Sequence, residues 1–426
     1  MSGNEKQQLV PRLRFPEFKN TAEWQSPTLG EVSEPVEERV GERKLTPVSI
    51  SAGNGGFVPQ AEKFGRDISG SQYKLYTVVR DGDFVYNKGN SLKFPQGCVY
   101  DLQGWGEVAA PNVFICFRLK NGYENGFYRQ CFERNTHGIQ LRKHITSGAR
   151  SNGLLNISKE AFYSVAIPVP SHAEQQKIAD CLSSLDALIA AEIQKLGTLK
   201  THKKGLMQQL FPREGETVPR LRFPEFRDDD GWESDLLGNI FDTTSGGTPS
   251  RSTKEYWDGY IPWITTSLVN FGIITHADEF ISEAGLKNSA AKLFPRGTVL
   301  IAMYGQGKTR GQVALLGIEA ATNQACAAIL PRKEIDPNFV FLNLASRYDE
   351  IRQLSNSGGQ ENLSQGLIRE LSFSYPLNPA EQQKITACLT SVDNVINAQV
   401  QKIETLISNK NGLTQQLFPF LGEVSS

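Results

Sequence analysis

One stretch of the sequence has the residue types of a phosphate-binding loop. The run AMYGQGKT at 302–309 places two glycines before a lysine and a threonine, and it follows a strand-like segment. Such a loop binds nucleotide phosphates when it opens a helix whose amino end faces them. Here Arg310 and Gly311 intervene and the apolar run at 313–316 is typical of another strand. An ATP site using Lys308 is therefore the less favoured interpretation.

The same run is better explained as the tip of a glycine-rich hairpin. Such a tip can reach into a groove of DNA, because glutamine pairs with adenine, and arginine or lysine pairs with guanine. The donors that it carries are Gln306, Lys308 and Arg310. A second tip, with donors suited to phosphates or base edges, carries Lys88, Asn90, Ser91 and Lys93. Further candidates in polar segments are Arg150, Thr265, Thr266, Ser267 and Gln360. Hairpins and loops that only contact solvent remain the alternative.

No arrangement of residues typical of an enzyme accompanies these loops. The five histidines lack metal-ligand spacing, and the six cysteines form no C-x-x-C pair. The motifs H-E-x-x-H and G-x-S-x-G are absent, as are the N-P-P-F and D-P-P-Y signatures of adenine methyltransferases. We therefore expect no catalytic residue, no metal and no directly bound cofactor, and we expect the cysteines to be reduced.

Composition bounds the class of protein. A chain of 426 residues exceeds what one hydrophobic core usually organises, so two or more units are expected. The formal net charge of −1 gives no support to strong nonspecific DNA binding, although the segment 118–150 is locally basic. The polar stretch Met1–Gln8 does not resemble a secretory signal, and no apolar run reaches the roughly 18 residues of a membrane span. A cytoplasmic location is expected.

The chain contains two related copies of one pattern. The segment VPRLRFPEF begins at Val10 and again at Val218, an offset of 208 residues. Near the end of each copy, EQQKI begins at Glu174 and Glu381, and QQLFP follows at 208–212 and 415–419. Between these anchors the copies diverge, keeping a sparse set of matching glycines and asparagines. A preserved frame around a changed interior indicates two domains that recognise different things, with neutral drift after duplication as the alternative.

Each copy closes with a long amphipathic helix. No proline interrupts 174–210, and apolar residues recur there at steps of mostly three and four, as in a coiled coil. The predicted seam of the first helix is Ile178, Leu182, Leu185, Ile189, Ile193 and Leu196, and that of the second is Ile385, Leu389, Val392, Ile396, Val400 and Ile403. Roughly 37 residues give about 55 Å of helix, and an apolar stripe of that length needs a partner.

The simplest partner of each helix is the other one. We favour an antiparallel pair, because the intervening domain must carry the chain from the end of one helix to the start of the other. Two equal halves joined in this way acquire an approximate twofold axis. Domains held apart by such a spacer could meet DNA half-sites about one helical turn or somewhat more apart, roughly 34 Å.

With these repeated motifs, the chain resembles the specificity subunits of Type I restriction-modification enzymes over essentially its whole length. The resemblance implies an α+β protein with two tandem target recognition domains of mixed β-sheet and small helices, connected by two long antiparallel helices. It implies an asymmetric bipartite DNA target and no catalysis by this chain. Its implied partners are two adenine methyltransferase subunits that bind S-adenosylmethionine and, in the restricting complex, two subunits that use ATP and magnesium. The methyltransferase subunits are expected to dock on the helices and the repeated frame.

The predicted boundaries follow from these motifs. They are 1–170 for the first recognition domain, 171–212 for the first spacer helix, 213–378 for the second domain, 379–419 for the second helix and 420–426 for a tail. The alternative function is a protein-interaction scaffold that binds no DNA, which a nearly neutral chain would suit.

Overall fold

The computed structural model describes residues 9–51, 56–89, 94–145, 155–213, 215–305, 308–354 and 362–419. The chain divides into two compact units. The first unit comprises 1–192 and 402–426, and the second comprises 193–401. None of the helices in the described ranges combines the length and the apolar character that a membrane span needs.

The first unit contains two four-stranded sheets and small helices. Its strands are β1 (Ser33–Pro35), β2 (Thr46–Ser51), β3 (Gly56–Pro59), β4 (Thr77–Arg80), β5 (Phe84–Asn87), β6 (Cys98–Asp101), β7 (Glu107–Ala110) and β8 (Ile115–Leu119). Its helices are α1 (Leu29–Val32), α2 (Gln60–Phe64), α3 (Asn125–Glu133), α4 (Thr136–Leu141), α5 (Lys159–Tyr163), the first part of α6 (His172–Leu210) and the last part of α12 (Pro379–Leu417). One sheet has the antiparallel order β1-β8-β5-β6. The other has the order β3-β2-β7-β4, in which β2 and β7 are parallel.

The second unit has the same plan with additions. Its strands are β9 (Glu233–Leu236), β10 (Thr243–Ser245), β11 (Trp257–Ile264), β12 (Ile273–Ile274), β13 (Glu279–Ile281), β14 (Leu293–Phe294), β15 (Val299–Ala302), β16 (Val313–Leu316), β17 (Ala320–Thr322), β18 (Cys326–Ile329) and β19 (Ser372–Tyr375). Its helices are α7 (Leu237–Ile240), α8 (Glu283–Lys287), α9 (Pro337–Ser346), α10 (Tyr348–Gln353), α11 (Gln365–Arg369) and the first part of α12 (Pro379–Leu417).

The sheets of the two units correspond strand by strand. The order β10-β18-β15-β16 in the second unit matches β1-β8-β5-β6, and β13-β11-β17-β14 matches β3-β2-β7-β4, including the parallel central pair. Strand β12 extends the first of these sheets by pairing parallel to β16. It has no counterpart in either sheet of the first unit as far as that unit is described. The predicted fold class, two related mixed-sheet domains with small helices and two long helices, is confirmed.

A tryptophan of the repeated frame anchors each core. Trp24 packs edge-on against Phe127 and Phe418, with ring centroids 5.7 and 6.3 Å apart. Trp232 packs in the same way against Phe339 and Phe211, at 5.5 and 6.4 Å. The phenylalanine just after the end of α12 therefore completes the core of the first unit, and the one just after α6 completes that of the second.

The long helices end where the sequence predicts, and their buried faces follow a strict heptad. Both helices stop directly before a Phe-Pro pair. Ile178 and Leu182 in α6, and Ile385, Leu389, Ile396 and Ile403 in α12, are buried, while Leu185, Ile189, Leu196 and Val392 are half-buried. These residues are spaced by steps of four, three and seven, which fit a heptad with one seam position unnamed in each helix.

Two predicted seam positions need correction. Ile193 is 52% exposed and its neighbour Glu192 is 9% exposed, so the glutamate occupies the seam at this point. In α12 the equivalent Gln399 is 5% exposed, while Val400 is half-buried. The heptad reaches Ile189 by a step of four residues. Its next step is therefore three residues and reaches Glu192 rather than Ile193. A prediction based on apolar residues alone therefore places the seam one residue too late at this point of each helix.

Ion pairs show that the helices run antiparallel within each unit. In the first unit, Lys410 contacts Asp186 at 2.6 Å and Lys402 contacts Glu192 at 2.5 Å, so rising numbers in one helix meet falling numbers in the other. In the second unit, Lys203 contacts Asp393 at 2.6 Å. This last pair is the counterpart of Lys410 and Asp186, each residue displaced by 207 positions. The predicted antiparallel pairing is confirmed.

Candidate nucleic-acid interface

Half of the predicted DNA contacts lie outside the described residues. These are Asn90, Ser91, Lys93, Arg150, Gln306 and Gln360. The remaining six are distributed over both units. Their roles stay predictions, and the structure shows what each side chain touches.

Lys88 in the first unit holds two chain segments together. Its ammonium group donates to the carbonyl oxygen of Ile157 at 2.7 Å, and its own carbonyl oxygen accepts from the backbone N–H of Leu155 at 2.9 Å. The side chain is half-buried. Lys88 therefore fixes the approach of the segment after β5 to the segment before α5, whatever else it binds.

The three hydroxyl residues of the second unit follow β11. Thr265 and Thr266 are half-buried and Ser267 is exposed, in a short 3-10 turn spanning Thr266–Leu268. The hydroxyl oxygens of Thr265 and Ser267 lie 2.5 Å apart and share a hydrogen bond. This pairing leaves the turn polar at its surface, directly before the segment that leads into β12.

Lys308 and Arg310 lie in the connection between β15 and β16. Lys308 is exposed, Arg310 is half-buried, and the described residues after Lys308 form a turn that continues into β16. The carbonyl oxygen of Lys308 accepts a hydrogen bond of 2.6 Å from the Tyr348 hydroxyl. The predicted hairpin is confirmed, and a phosphate-binding loop that opens a helix is wrong, because a strand occupies the place of that helix.

The hairpin meets a second segment whose residues the sequence interpretation missed. The Gln312 side-chain amide Nε2 donates to Oδ1 of Asn270 at 3.1 Å. The backbone N–H of Phe271 donates to the carbonyl of Val313 at 2.8 Å, and its ring meets the Tyr348 ring edge-on at 5.1 Å. We call Asn270, Phe271 and Gln312 the amide cluster; it lies where the turn before β12 joins the base of the hairpin.

Phe271 has an unfavourable backbone conformation. Its φ of +52° lies in the left-handed region, which bulky residues avoid because Cβ approaches the backbone too closely. The ring is 38% exposed, so burial alone does not account for the choice of residue. Residues held in such conformations concentrate at functional sites. Sequence patterns carry no signal for this strain, whereas Asn270 and Gln312 could have been suspected as amides near a predicted tip.

Tyr348 connects the cluster to positive charge. Its hydroxyl accepts a hydrogen bond of 2.8 Å from Arg352, whose guanidinium lies 6.0 Å from the tyrosine ring centre. The same hydroxyl donates to the Lys308 carbonyl. Lys308, an exposed residue, and Arg352 are thus both joined to Tyr348, whose ring also meets the exposed ring of Phe271. Cations bind phosphates, and amides recognise base edges.

The repeated nonapeptide fastens the two helices in each unit. The Arg14 guanidinium donates two hydrogen bonds of 2.7 Å to Glu174 at the start of α6, and the Leu13 backbone N–H donates to the carbonyl of Gln416 near the end of α12. In the second unit, Arg222 donates twice at 2.8 Å to Glu381, and the Leu221 N–H donates to the carbonyl of Gln209. We call each copy of this arrangement a clasp.

Each clasp also presents apolar side chains to solvent. Val10 and Leu13 are 51% and 39% exposed, and the equivalent Val218 and Leu221 are 48% and 38% exposed. The first phenylalanine of each nonapeptide, Phe15 or Phe223, lies instead beneath a lysine of a long helix. The clasp geometry requires the arginine and the backbone, but not these exposed side chains.

The described residues show no arrangement suited to a metal ion, since no three His, Cys, Asp or Glu side chains converge. All six cysteines are free. Burial raises the pKa of the Cys98 thiol to about 11 and that of Cys116, Cys131 and Cys326 to about 12. These four thiols are therefore protonated packing residues at neutral pH.

Known proteins resemble this chain in sequence and in fold. The family model described as Type I restriction modification DNA specificity domain matches residues 74–201 and 229–407, together more than half of the chain. A Type I restriction enzyme MjaIX specificity subunit of Methanocaldococcus jannaschii is 28% identical over 180 residues, 41% of either chain. The EcoR124I/EcoR124II specificity subunit of Escherichia coli is 26% identical over 253 residues, 57% of this chain and 58% of that one. The matches thus span about half the length of these relatives.

A solved structure shares the fold across the whole chain. The S subunit of a Type I restriction-modification system from M. genitalium superposes with a TM-score of 0.53 at 15% identity, covering 97% of this chain and 100% of that chain. A chain from a structural study of complex assembly in the type I R-M system superposes with a TM-score of 0.61 at 17% identity, covering 93% and 97%. With both copies of the pattern matched by the family model, the chain belongs to the Type I restriction-modification DNA specificity family.

Proposed function

We propose that this chain is the DNA-recognition subunit of a Type I restriction-modification complex, and that each unit recognises one half of an asymmetric bipartite target. The observation that carries this proposal is the difference between two units of one plan. The sheets correspond strand by strand, yet β12 and the turn before it occur in the second unit without a described counterpart in the first. Different surfaces on a shared scaffold suit two different half-sites.

The chain acts without catalysis of its own in this proposal. It directs two adenine methyltransferase subunits that bind S-adenosylmethionine and, where the complex also cuts, two restriction subunits that use ATP and magnesium. The absence of a methyltransferase signature from the sequence supports this division of labour. Work on DNA with such partners places the protein in the cytoplasm.

The two clasps are the proposed docking sites of the methyltransferase subunits. Each clasp presents the same pair of exposed side chains, a valine and a leucine, in an identical nine-residue segment. Two identical surfaces on one chain suit two copies of one partner. Exposed apolar side chains, surrounded by polar ones, are typical of protein interfaces.

Methylation mapping tests the proposal. The full chain is combined with its methyltransferase partner and S-adenosylmethionine, and the modified adenines are located in DNA of random sequence. We expect methylation within one asymmetric target made of two short specified parts and an unspecified gap. Methylation or binding without sequence preference would contradict the proposal and would favour the alternative, a scaffold that binds proteins only.

Exchange of one unit's interior tests the assignment of half-sites. Replacing residues 20–165 with the same region of a relative should change one part of the target and leave the other part and the gap unchanged. A change in both parts would show that recognition is not divided between the units.

A further inference from the structure

The amide cluster offers the hydrogen-bonding groups that distinguish adenine from other bases. In the major groove, adenine presents the N7 acceptor beside the N6 amino donor, and a glutamine side chain matches both atoms with its amide nitrogen and oxygen. One Nε2 hydrogen of Gln312 is already held by Asn270 Oδ1 at 3.1 Å. Within the part of the chain that the structure describes, the second hydrogen and the Oε1 oxygen have no hydrogen-bond partner, and the bond to Asn270 orients the amide.

The main chain of Gln312 is held as firmly as its side chain. Its carbonyl oxygen accepts from the N–H of Ala302 at 2.9 Å, and its N–H donates to the carbonyl of Thr309 at 3.0 Å. These bonds place it at the base of the hairpin rather than at a loose tip. A side chain positioned before binding loses little conformational freedom when it meets DNA, so its hydrogen bonds contribute more to discrimination.

Phe271 supplies an apolar surface next to the amides. Its φ is +52°, its side chain is exposed and follows Asn270 in the chain, and the Tyr348 ring meets its ring edge-on at 5.1 Å. The group in the major groove that an apolar side chain recognises is the thymine methyl. Adenine and thymine form one base pair, so the amides and the ring match its two halves.

Building on the proposed function, we infer that the amide cluster reads one A·T base pair of the second unit's half-site, with Gln312 contacting adenine, Asn270 orienting Gln312, and Phe271 contacting the thymine methyl. Lys308 and Arg352 supply the neighbouring positive charge that phosphates require. The cluster uses β12 and its turn, so this contact belongs to the second unit.

The test compares the sequence preferences of variants. The full chain with its methyltransferase partner selects from a library of duplexes in which each target position is randomised, at fixed salt, and bound DNA is sequenced. For Gln312→Ala we expect the adenine preference at one position of one half-site to fall about tenfold or more. For Gln312→Glu we expect cytosine to replace adenine there, because a carboxylate accepts from the cytosine amino group and repels N7.

Two further variants separate the roles within the cluster. Asn270→Ala should weaken the preference at the same position by less than Gln312→Ala does. Phe271→Asn should lower selection for thymine in that base pair. The midpoint of thermal unfolding of this variant should equal that of the wild type or rise, because asparagine tolerates the left-handed region. The matched control is Asn239→Ala, an exposed amide bound to Asp235 near the start of β10, whose preferences should equal the wild type.

The outcomes distinguish this inference from the proposed function. If the wild-type complex selects a bipartite target and both Gln312 variants keep the same preferences at every position, the inference is wrong and the proposed function stands. A uniform loss of affinity for all sequences would also overturn it, because the cluster would then contact phosphates or the partner. A wild-type complex that selects no sequence would overturn both. Circular dichroism of each variant confirms folding, and the glutamate variant preserves the side-chain volume where alanine fails to fold.

Discussion

Glu381, in the first turn of α12, receives two hydrogen bonds of 2.8 Å from the guanidinium of Arg222, and the two side chains are only 1% and 7% exposed. The indole N–H of Trp232 donates to the same carboxylate at 3.2 Å, and two further guanidinium hydrogens reach the carbonyls of Asp229 and Asp230. The hydrogen bond to Glu381 raises the pKa of Arg222, so the arginine stays charged. Each nitrogen of the guanidinium and each oxygen of the carboxylate takes part in a hydrogen bond, and such bonds allow a buried ion pair to be tolerated.

Removing one partner of this pair should destabilise the second unit strongly. Glu381→Ala leaves a desolvated guanidinium without its counter-charge, and we expect a loss of about 3–5 kcal/mol in the free energy of unfolding. Urea unfolding of the full chain measures it. The control is Asp349→Ala, which breaks an ion pair to Lys204 whose side chains are 73% and 68% exposed and which should cost about 0–1 kcal/mol. Equal costs for the two variants would show that the clasp is not a structural fastening.

The corrected seam predicts unequal effects for two apolar residues of α6. Leu182 is fully buried, so Leu182→Ala should cost about 2–5 kcal/mol through lost burial and a cavity. Ile193 is 52% exposed, and Ile193→Ala should change stability by less than about 0.5 kcal/mol, since alanine also favours the helix. Thermal or urea unfolding compares the variants. A large loss for Ile193→Ala would restore that residue to the seam and exclude Glu192.

The repeat made most of the architecture predictable. Two copies of a frame ending in the same helix predicted two related domains and an antiparallel helix pair, because apolar periodicity and prolines fix helix ends. The mixed sheets were implied by the family resemblance alone. The prediction was wrong at one seam position of each helix. Glu192 and Gln399 occupy seam positions that apolarity alone would never assign, because their burial depends on the opposite helix. A buried polar seam residue specifies register at a cost in stability, which is a tertiary property that sequence periodicity does not contain.

Acid should destabilise the first unit through His137. This side chain is buried against Tyr86 and Phe132, and neither ring nitrogen has a hydrogen-bond partner among the described residues. Burial lowers its pKa from 6.5 to about 3. The unfolded chain therefore binds a proton below about pH 6.5 that the folded chain does not bind until about pH 3. Above about pH 6.5 this histidine does not lower the free energy of unfolding. As the pH falls from about 6.5 to about 3, the free energy of unfolding decreases by up to about 1.4 kcal/mol per pH unit.

Substitution isolates this contribution from that of other groups. His137→Phe keeps an aromatic ring and cannot be protonated, so its loss of stability between pH 7 and pH 5 should be smaller than that of the wild type by about 2 kcal/mol. Urea unfolding at the two pH values measures the difference. His276→Phe, at an exposed position of the second unit, should leave the pH dependence unchanged. Identical pH dependence in the wild type and His137→Phe would mean that the ring is already solvated or paired.

Lys308 should act on DNA phosphates and not on nucleotides. We expect Lys308→Ala to weaken binding about equally for all sequences and to lower the slope of log affinity against log salt by about one. Lys333→Ala is the matched control. Lys333 is exposed and follows the end of β18, which pairs with Val299 at the end of β15 remote from the hairpin. Fluorescence anisotropy over a salt series gives both slopes. ATP binding by the wild type that disappears in Lys308→Ala would revive the nucleotide-site interpretation.

The candidate interface was less predictable than the fold for a local reason. The hairpin carrying Lys308 could be located from its glycines and flanking strands. The segment that meets it could not, because the contact between Asn270 and Gln312 joins residues 42 positions apart. Phe271, with its positive φ, likewise donates its N–H to Val313, a residue distant in the sequence. Pairing between segments distant in the sequence decides which amide side chains come into contact. A single sequence does not reveal that pairing.

The paired clasps predict a stepwise loss of partner copies. Leu13→Asp and Leu221→Asp each place a charge on a surface that is 39% or 38% exposed while keeping the backbone N–H that binds the opposite helix, so folding should persist. Native mass spectrometry of the complex with the methyltransferase partner should show two partner copies on the wild type, one on either single variant and none on the double variant. Leu236→Asp, at a 42% exposed leucine of β9 outside the clasp, should retain two. Two copies retained by the double variant would move the docking site away from the clasps, and loss of both copies in a single variant would mean that the two sites bind cooperatively rather than as independent equivalents.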